Sequence, residues 1–337
     1  MTNLQEAHYR YGINYRRGSP HLTHHALYDR LVEVLRGTIK KLADQRLPLR
    51  VLEIGAGHGG FTEPALAMGC EVTAVDMSGP SIDELRRRFG TNPRLKAVHD
   101  ADGTLRDVDS DYSLLMFVSV LHHIPDYMSF LDGASQRLAT GGALITLQDP
   151  ARYSRHRIAH RAEQAAYFGW RLTQGDYVSG LRTRLRRMGG VIDEKNPSDM
   201  VEYHVIRDGV DDEAVFSFTR KSFAEVTFIP YWSSQLRTAQ FLGERSRMRN
   251  SFGVVAYGYD PDRSTDWLAV RAPGGCSSRK SGQRLATASS YSGIVSTYAD
   301  DQRDCYRSWG SRLRGPLPGL DIEPRSRQDR ARFHRRR

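Results

Sequence analysis

The sequence predicts an α/β fold built on a doubly wound, parallel sheet. Three observations predict it. Short apolar runs alternate with helical patterns from about residue 50 to 150, a glycine-rich bend follows the first run, and an acid, Asp76, ends the second. Strands separated by helical stretches form βαβ units, which wrap helices over both faces of a parallel sheet.

The elements follow in order. Leu27, Leu31, Val34, Leu35, Ile39 and Leu42 fall at helical spacing, and Leu47-Pro48-Leu49 stops that helix. Strands are expected over Arg50–Ile54, Glu71–Val75, Leu95–Val98, Ser113–Val118 and Ala143–Leu147, with helices over Phe61–Met68, Ser81–Phe89 and Met128–Leu138 between them. The rhythm breaks after Asp149-Pro150. Two helices, Arg155–Trp170 and Tyr177–Met188, are expected next, then a loop ending Asn196-Pro197-Ser198-Asp199. A helix over Asp211–Lys221 leads to strand patterns at Ala224–Pro230 and Ser251–Gly258. The expected organisation is an N-terminal cap (1–49), a core (50–150), a helical lid (151–205), the last core strands (206–274) and a tail (275–337).

Charge is unevenly spread. The chain of 337 residues carries a formal +10, but fourteen Arg or Lys against six acids place +8 of it after Gly275. The near-neutral body argues against a nucleic-acid partner. The tail has too few large apolar groups to offset the entropy of ordering, so it is expected to be disordered, unless it is foreign to the protein. Cys70, Cys276 and Cys305 show neither metal-ligand spacing nor a disulfide framework. The N-terminal MTNLQEAHYRYG lacks a signal-peptide run, and the longest apolar stretch, Ser113–Leu121, is too short to span a bilayer. These features fit a cytoplasmic protein without a membrane partner; oligomeric state is not readable.

The sharpest chemical signal is Val51-Leu52-Glu53-Ile54-Gly55-Ala56-Gly57-His58-Gly59-Gly60, an apolar strand running into glycines that open a helix. Glycines suit a tight turn where a ligand lies against bare backbone. Asp76, twenty-one residues after Gly55, can accept both ribose hydroxyls of an adenosine. Gly55, Gly57 and Gly60 also spell the G-x-G-x-x-G of nicotinamide dinucleotide enzymes. Glu53 separates the two readings: an acid there is expected to repel a pyrophosphate and to favour a cationic ligand.

With Asp100-Ala101 after the third strand and Ser119-Val120-Leu121-His122-His123-Ile124-Pro125-Asp126 after the fourth, the chain resembles class I S-adenosylmethionine-dependent methyltransferases, among them natural-product and sugar methyltransferases. The resemblance covers residues 50–150 well and the strands near 224–258 loosely. It implies a mostly parallel seven-stranded sheet with an antiparallel last strand. It also implies S-adenosyl-L-methionine as cofactor and S-adenosyl-L-homocysteine as product. By the same resemblance Gly55 and Gly57 would face the methionine portion, Asp76 the ribose, and Asp100 would accept from the adenine amino group with Ala101 contributing backbone; Glu53, Ala56, Met77 and Val118 are further cofactor-binding candidates. Two positions depart from the pattern: His58 stands where a small hydroxyl residue is usual, and Ser113 replaces an acid that often opens the fourth strand.

Removing a proton from a hydroxyl acceptor calls for a base beyond the strand ends. His122 or His123 is the candidate, with Asp149 as partner; Gln148 lies beside it. Positioning alone is the alternative. In the N-terminal cluster, Tyr11 or Tyr15 could cover the sulfonium and Arg10 or Arg16 meet the methionine carboxylate. In the lid, Tyr167, Phe168, Trp170 and Tyr177 are pocket or core residues, and Arg182, Arg184, Arg186 and Arg187 form a solvated face or a site for a phosphorylated acceptor. The expected activity is methylation of a hydroxyl on a small molecule. N- or C-methylation, a cofactor-binding cyclase or regulator, and a nicotinamide oxidoreductase remain as alternatives.

Overall fold

The computed structural model describes residues 19–173, 208–246 and 248–263. Seven strands, β1 (Arg50–Ile54), β2 (Glu71–Asp76), β3 (Leu95–His99), β4 (Tyr112–Val118), β5 (Leu138–Pro150), β6 (Phe223–Tyr231) and β7 (Ser251–Tyr259), form one sheet in the order β3-β2-β1-β4-β5-β7-β6. Neighbours from β3 to β5 are parallel, and β7 is antiparallel to both β5 and β6. The expected seven-stranded sheet with its antiparallel last strand is therefore present.

Burial follows position in the sheet. Leu114, Leu115, Met116 and Phe117 of central β4 are all fully buried, because both faces are covered and no polar alternation is required. Edge strand β3 exposes Lys96 and His99 instead, which discourages pairing with another chain. On the helical side, α1 (Pro20–Thr23) leads into α2 (His25–Asp44), which buries Leu27, Leu31, Leu35, Ile39 and Leu42. Val32 joins that stripe rather than Val34. Helices α3 (Thr62–Ala67), α4 (Gly79–Phe89) and α5 (Tyr127–Ser135) connect the parallel strands. Helix α5 ends three residues before the expected Leu138, which instead pairs with Tyr112 to begin a longer β5. Beyond β5 lie α6 (Arg157–Thr173), α7 (Asp212–Ser222) and α8 (Arg237–Arg245). The expected helix 177–188, its arginines, the loop at 196–199 and the tail lie outside the described residues.

Two features of this topology position the site. The connections turn in opposite directions from β1 and β4, opening a crevice at their carboxyl ends. Antiparallel β7 makes β6 run alongside β5 in the same direction, so Pro150 and Tyr231 both flank Ser251 at that same edge.

The chain returns to the sheet at a charged corner. Arg155 meets Asp212 and Glu213, each at 2.8 Å, and Arg152 meets Asp211 at 2.8 Å. Asp212 is fully buried, so removing its guanidinium partner leaves a desolvated carboxylate. Arg155→Ala is expected to lower stability by roughly 3 kcal/mol, read as an earlier urea midpoint; an unchanged midpoint would contradict this account of the corner.

Candidate active site

The glycine bend is pinned on several sides. Gly55 and Gly57 hold φ of +67° and +54°, the left-handed region in which glycine carries no steric penalty. A Cβ on Gly55 would lie 2.4 Å from Val120 Cγ2, so the bend touches the segment leaving β4. The amides of Gly55 and Ala56 donate to the Val75 carbonyl at 2.8 and 3.1 Å. The Asp76 carboxylate accepts from Gly57 N–H and Ser78 N–H, both at 2.8 Å. From α2, the Tyr28 hydroxyl donates to the Gly60 carbonyl at 2.8 Å.

Met77, Asp100, Ala101 and Val118 lie at or just after the carboxyl ends of β2, β3 and β4. Asp100 N–H donates to the Asp76 carbonyl at 3.0 Å, while its carboxylate accepts from Thr104 and Leu105 at 3.2 and 3.0 Å and so shapes its own turn. Ala101 and Met77 are exposed, and Val118 is half-buried at the end of β4. Arg10, Tyr11, Tyr15 and Arg16 lie outside the described residues. One of the two departures has a structural use. Ser113 Oγ joins β1 to β4 by accepting from Arg50 N–H at 3.1 Å and donating to the Arg50 carbonyl at 3.0 Å, whereas at His58 it is the backbone carbonyl, common to any residue, that meets Arg88.

The residues present fit an adenosyl cofactor carrying a cationic sulfur. Each Asp76 oxygen accepts one backbone N–H and keeps acceptor capacity for a ribose hydroxyl. Arg88, the cation beside the bend, is committed to the His58 carbonyl and to Glu63 at 2.8 Å, which leaves it engaged rather than offered to a phosphate.

Two distorted strand ends bring the other polar groups together. Ser119, after β4, has φ +60°, and Gln148, near the end of β5, has φ +66°. Such values are uncommon for non-glycine residues and cluster at functional sites. The β5–β7 register shifts between Thr146 and Asp149, a bulge that re-aims the side chains around it. His122, in a short 3₁₀ turn (Leu121–His123), places Nδ1 2.8 Å from Asp149 Oδ1, and its backbone N–H donates to the same oxygen at 3.2 Å. When Asp149 is ionised, Nδ1 is the donor of this contact and the lone pair sits on Nε2. Burial holds His122 and His123 below the usual imidazole range and pushes Asp149 up. The His123 ring lies against His122, centroids 4.0 Å apart.

Sequence reasoning missed two residues here. His21 of α1, treated only as part of a basic-aromatic lead-in, is buried beside Phe61, and the charge of a protonated His122 is felt at its ring. Glu163 of α6 lies beside Ser234, after β6. Helical spacing puts Ala159, Glu163 and Ala166 on one face, but that this face is buried is visible only in the fold. Among the lid aromatics, Tyr167 and Trp170 stack at 5.6 Å, and Phe168 is exposed. Among the described residues no group of three or more His, Cys, Asp or Glu side chains is placed to hold a metal ion.

Glu53 departs from its expected role as a standing negative charge. It is buried beneath the bend, accepts a hydrogen bond from the Thr62 hydroxyl, and burial pushes its carboxyl from 4.5 up to about 8. It is therefore neutral at pH 7 until a nearby cation favours ionisation. A raised folded-state value means that the stability it supports is complete below pH 4.5 and lost as pH climbs through about 8. Glu53→Gln, neutral throughout, is expected to gain on the wild type across that window, by roughly 3 kcal/mol near pH 7; denaturant melts at several pH values check it, and parallel curves would contradict it.

Comparison with known proteins agrees with this geometry. Residues 25–189 match the family described as methyltransferase domain. A ubiquinone biosynthesis O-methyltransferase of Xylella fastidiosa (strain 9a5c) is 28% identical over 110 residues, 30% of this chain and 43% of that protein. The enzyme of the same description from Caulobacter sp. (strain K31) is 31% identical over 104 residues, 29% of this chain and 39% of that protein. The match thus spans about two fifths of these relatives' length. Among solved structures, a glycopeptide N-methyltransferase, MtfA, complexed with S-adenosyl-L-methionine, is 24% identical with a TM-score of 0.29, covering 33% of this chain and 53% of that one. Residues 25–189, just under half of the chain, are a methyltransferase domain of the class I S-adenosylmethionine-dependent kind.

Proposed function

We propose that this protein methylates a hydroxyl group of a small molecule, with His122 as the base and Asp149 as the residue that orients it. The single observation that carries the reading is the 2.8 Å contact between His122 Nδ1 and Asp149, in a segment whose Val120 packs against Gly55 of the cofactor bend. Donor site and base are thereby joined through one short stretch of chain.

S-adenosyl-L-methionine supplies an electrophilic methyl group when bound. The protein's residues do the rest. Asp76 holds the ribose hydroxyls, the Gly55–Gly57 backbone leaves room for the methionine portion, and Met77 offers an apolar surface to the adenine. Asp100, Ala101 and Val118 border the adenine side, with Arg10 and Tyr15 as further candidates toward the methionine end. Glu53, neutral in the free protein, ionises in answer to the cationic ligand. At the acceptor, Nε2 of His122 takes the hydroxyl proton, and Asp149 stabilises the imidazolium that results. His123, packed against His122, limits its rotation.

Binding and turnover should separate on mutation. Asp76→Ala is expected to raise the dissociation constant for S-adenosyl-L-methionine at least tenfold, while His122→Ala leaves it within about threefold and lowers labelled-methyl transfer to a hydroxylated acceptor by roughly 10²–10⁴. Calorimetry and a labelled-methyl screen check both, with NADH as the comparison ligand. Tight binding of NADH alone, or full transfer by the His122 variant, would refute the reading.

A further inference from the structure

We infer that the acceptor is an uncharged or cationic molecule rich in hydrogen-bond donors, read by Gln148 and Glu163 in a buried subsite beyond the ends of β5 and β6. This rests on the methyltransferase reading above and deepens it.

The structure gathers buried acceptor atoms there with capacity left to accept. Gln148 Nε2 donates to Ser233 Oγ at 2.6 Å, and its backbone N–H to the Tyr231 hydroxyl at 2.6 Å, yet Gln148 Oε1 has no partner. Asp149 Oδ1 is taken by His122, but Oδ2 is unpaired. Gln235 Oε1 is unpaired as well, and the Glu163 carboxyl has only the neighbouring Ser234 hydroxyl beside it, which leaves it further acceptor capacity. Gln148 and Asp149 are 7% and 0% exposed, so solvent does not substitute. These atoms belong to one neighbourhood. Gln148 touches Ser233, Ser234 and Gln235 follow it in the chain, Glu163 lies beside Ser234, and the His24 ring reaches the Ser234 carbonyl at 2.7 Å. The indole N–H of Trp232 is also unpaired, but it faces Gly243, where a Cβ would meet it at 2.2 Å, and so belongs to a different contact.

A buried acceptor left short of donors carries its desolvation penalty, and native proteins keep few of them without a use. The oxygens of Gln148, Asp149, Glu163 and Gln235 can take further donors, which a polyol or an amine supplies. Anionic groups would meet two carboxyls instead, and the nearby Arg30 is already engaged with Glu244. Burial pushes Glu163 up to about 8, so it arrives neutral: it can read a hydroxyl in that form, and an ammonium would draw it to the carboxylate. A phosphorylated acceptor, one option left open by the sequence, is disfavoured at this subsite.

Thermal unfolding of the full chain, with and without S-adenosyl-L-homocysteine, tests this against methyl glucoside, glucosamine, glucose 6-phosphate and glucuronate at millimolar concentration. Methyl glucoside or glucosamine is expected to raise Tm by roughly 2–4 °C, and the two anionic probes to leave it unchanged. A response to the glucoside assigns hydroxyl donors, and one to glucosamine alone assigns an ammonium. Glu163→Leu and Gln148→Met should raise Tm without probe and abolish the probe response, whereas Glu163→Gln keeps a hydroxyl response and loses any preference for the ammonium. A larger shift with an anionic probe, no shift with either donor-rich probe, or variants that respond like the wild type would overturn the inference. Absence of S-adenosyl-L-homocysteine binding, by calorimetry on the same sample, counts against the methyltransferase reading instead, and the probe ranking still decides this one.

Discussion

Much of this structure depends on a bend of nearly bare backbone being held against two strand ends at once. Gly55 and Gly57 take up left-handed conformations, and the Asp76 carboxylate fixes the second of them by accepting its N–H at 2.8 Å. Val120 lies where a Cβ on Gly55 would go. One contact thus binds the first βα turn to the segment carrying His122, and a side chain at Gly55 would force the two apart. The sheet order places this meeting point at the crevice between β1 and β4, where ligands bind in doubly wound folds.

A second theme is ionisable chemistry kept uncharged until needed. Glu53 and Glu163 are carboxyls pushed up to about 8, and the imidazoles of His21, His122 and His123 are all driven down, in every case chiefly by burial. Charge is therefore scarce in the cleft. A cationic ligand favours the ionised form of Glu53, whose proton is released to solvent, so discrimination against phosphate becomes a property of the bound state rather than a fixed field. The neutral imidazole is likewise the form that can take up a proton.

The sequence disclosed what local pattern encodes. Gly55, Gly57 and Asp76 belong to a strand–turn–helix signature whose residues lie within one βαβ unit, so periodicity and spacing sufficed. The strands were legible too, except that β5 begins earlier, at Leu138, because pairing with Tyr112 outweighs the end of the helical pattern. What remained hidden depends on contacts across long sequence separations. His21 meets the His122 neighbourhood from the N-terminal cap, Gln148 takes its left-handed conformation with no glycine to announce it, and Glu163 faces Ser234 some seventy residues later. The protonation state of Glu53 was unreadable for the same reason, since it is set by what the fold packs around that side chain.

The most direct test of the account is a crystal structure of the full chain grown with S-adenosyl-L-homocysteine. Ribose hydroxyls are expected on the Asp76 carboxylate, the amino-acid portion along Gly55–Gly57, and the sulfur turned toward the crevice that His122 borders. Ligand density elsewhere, or a phosphate group seated on that bend, would contradict it.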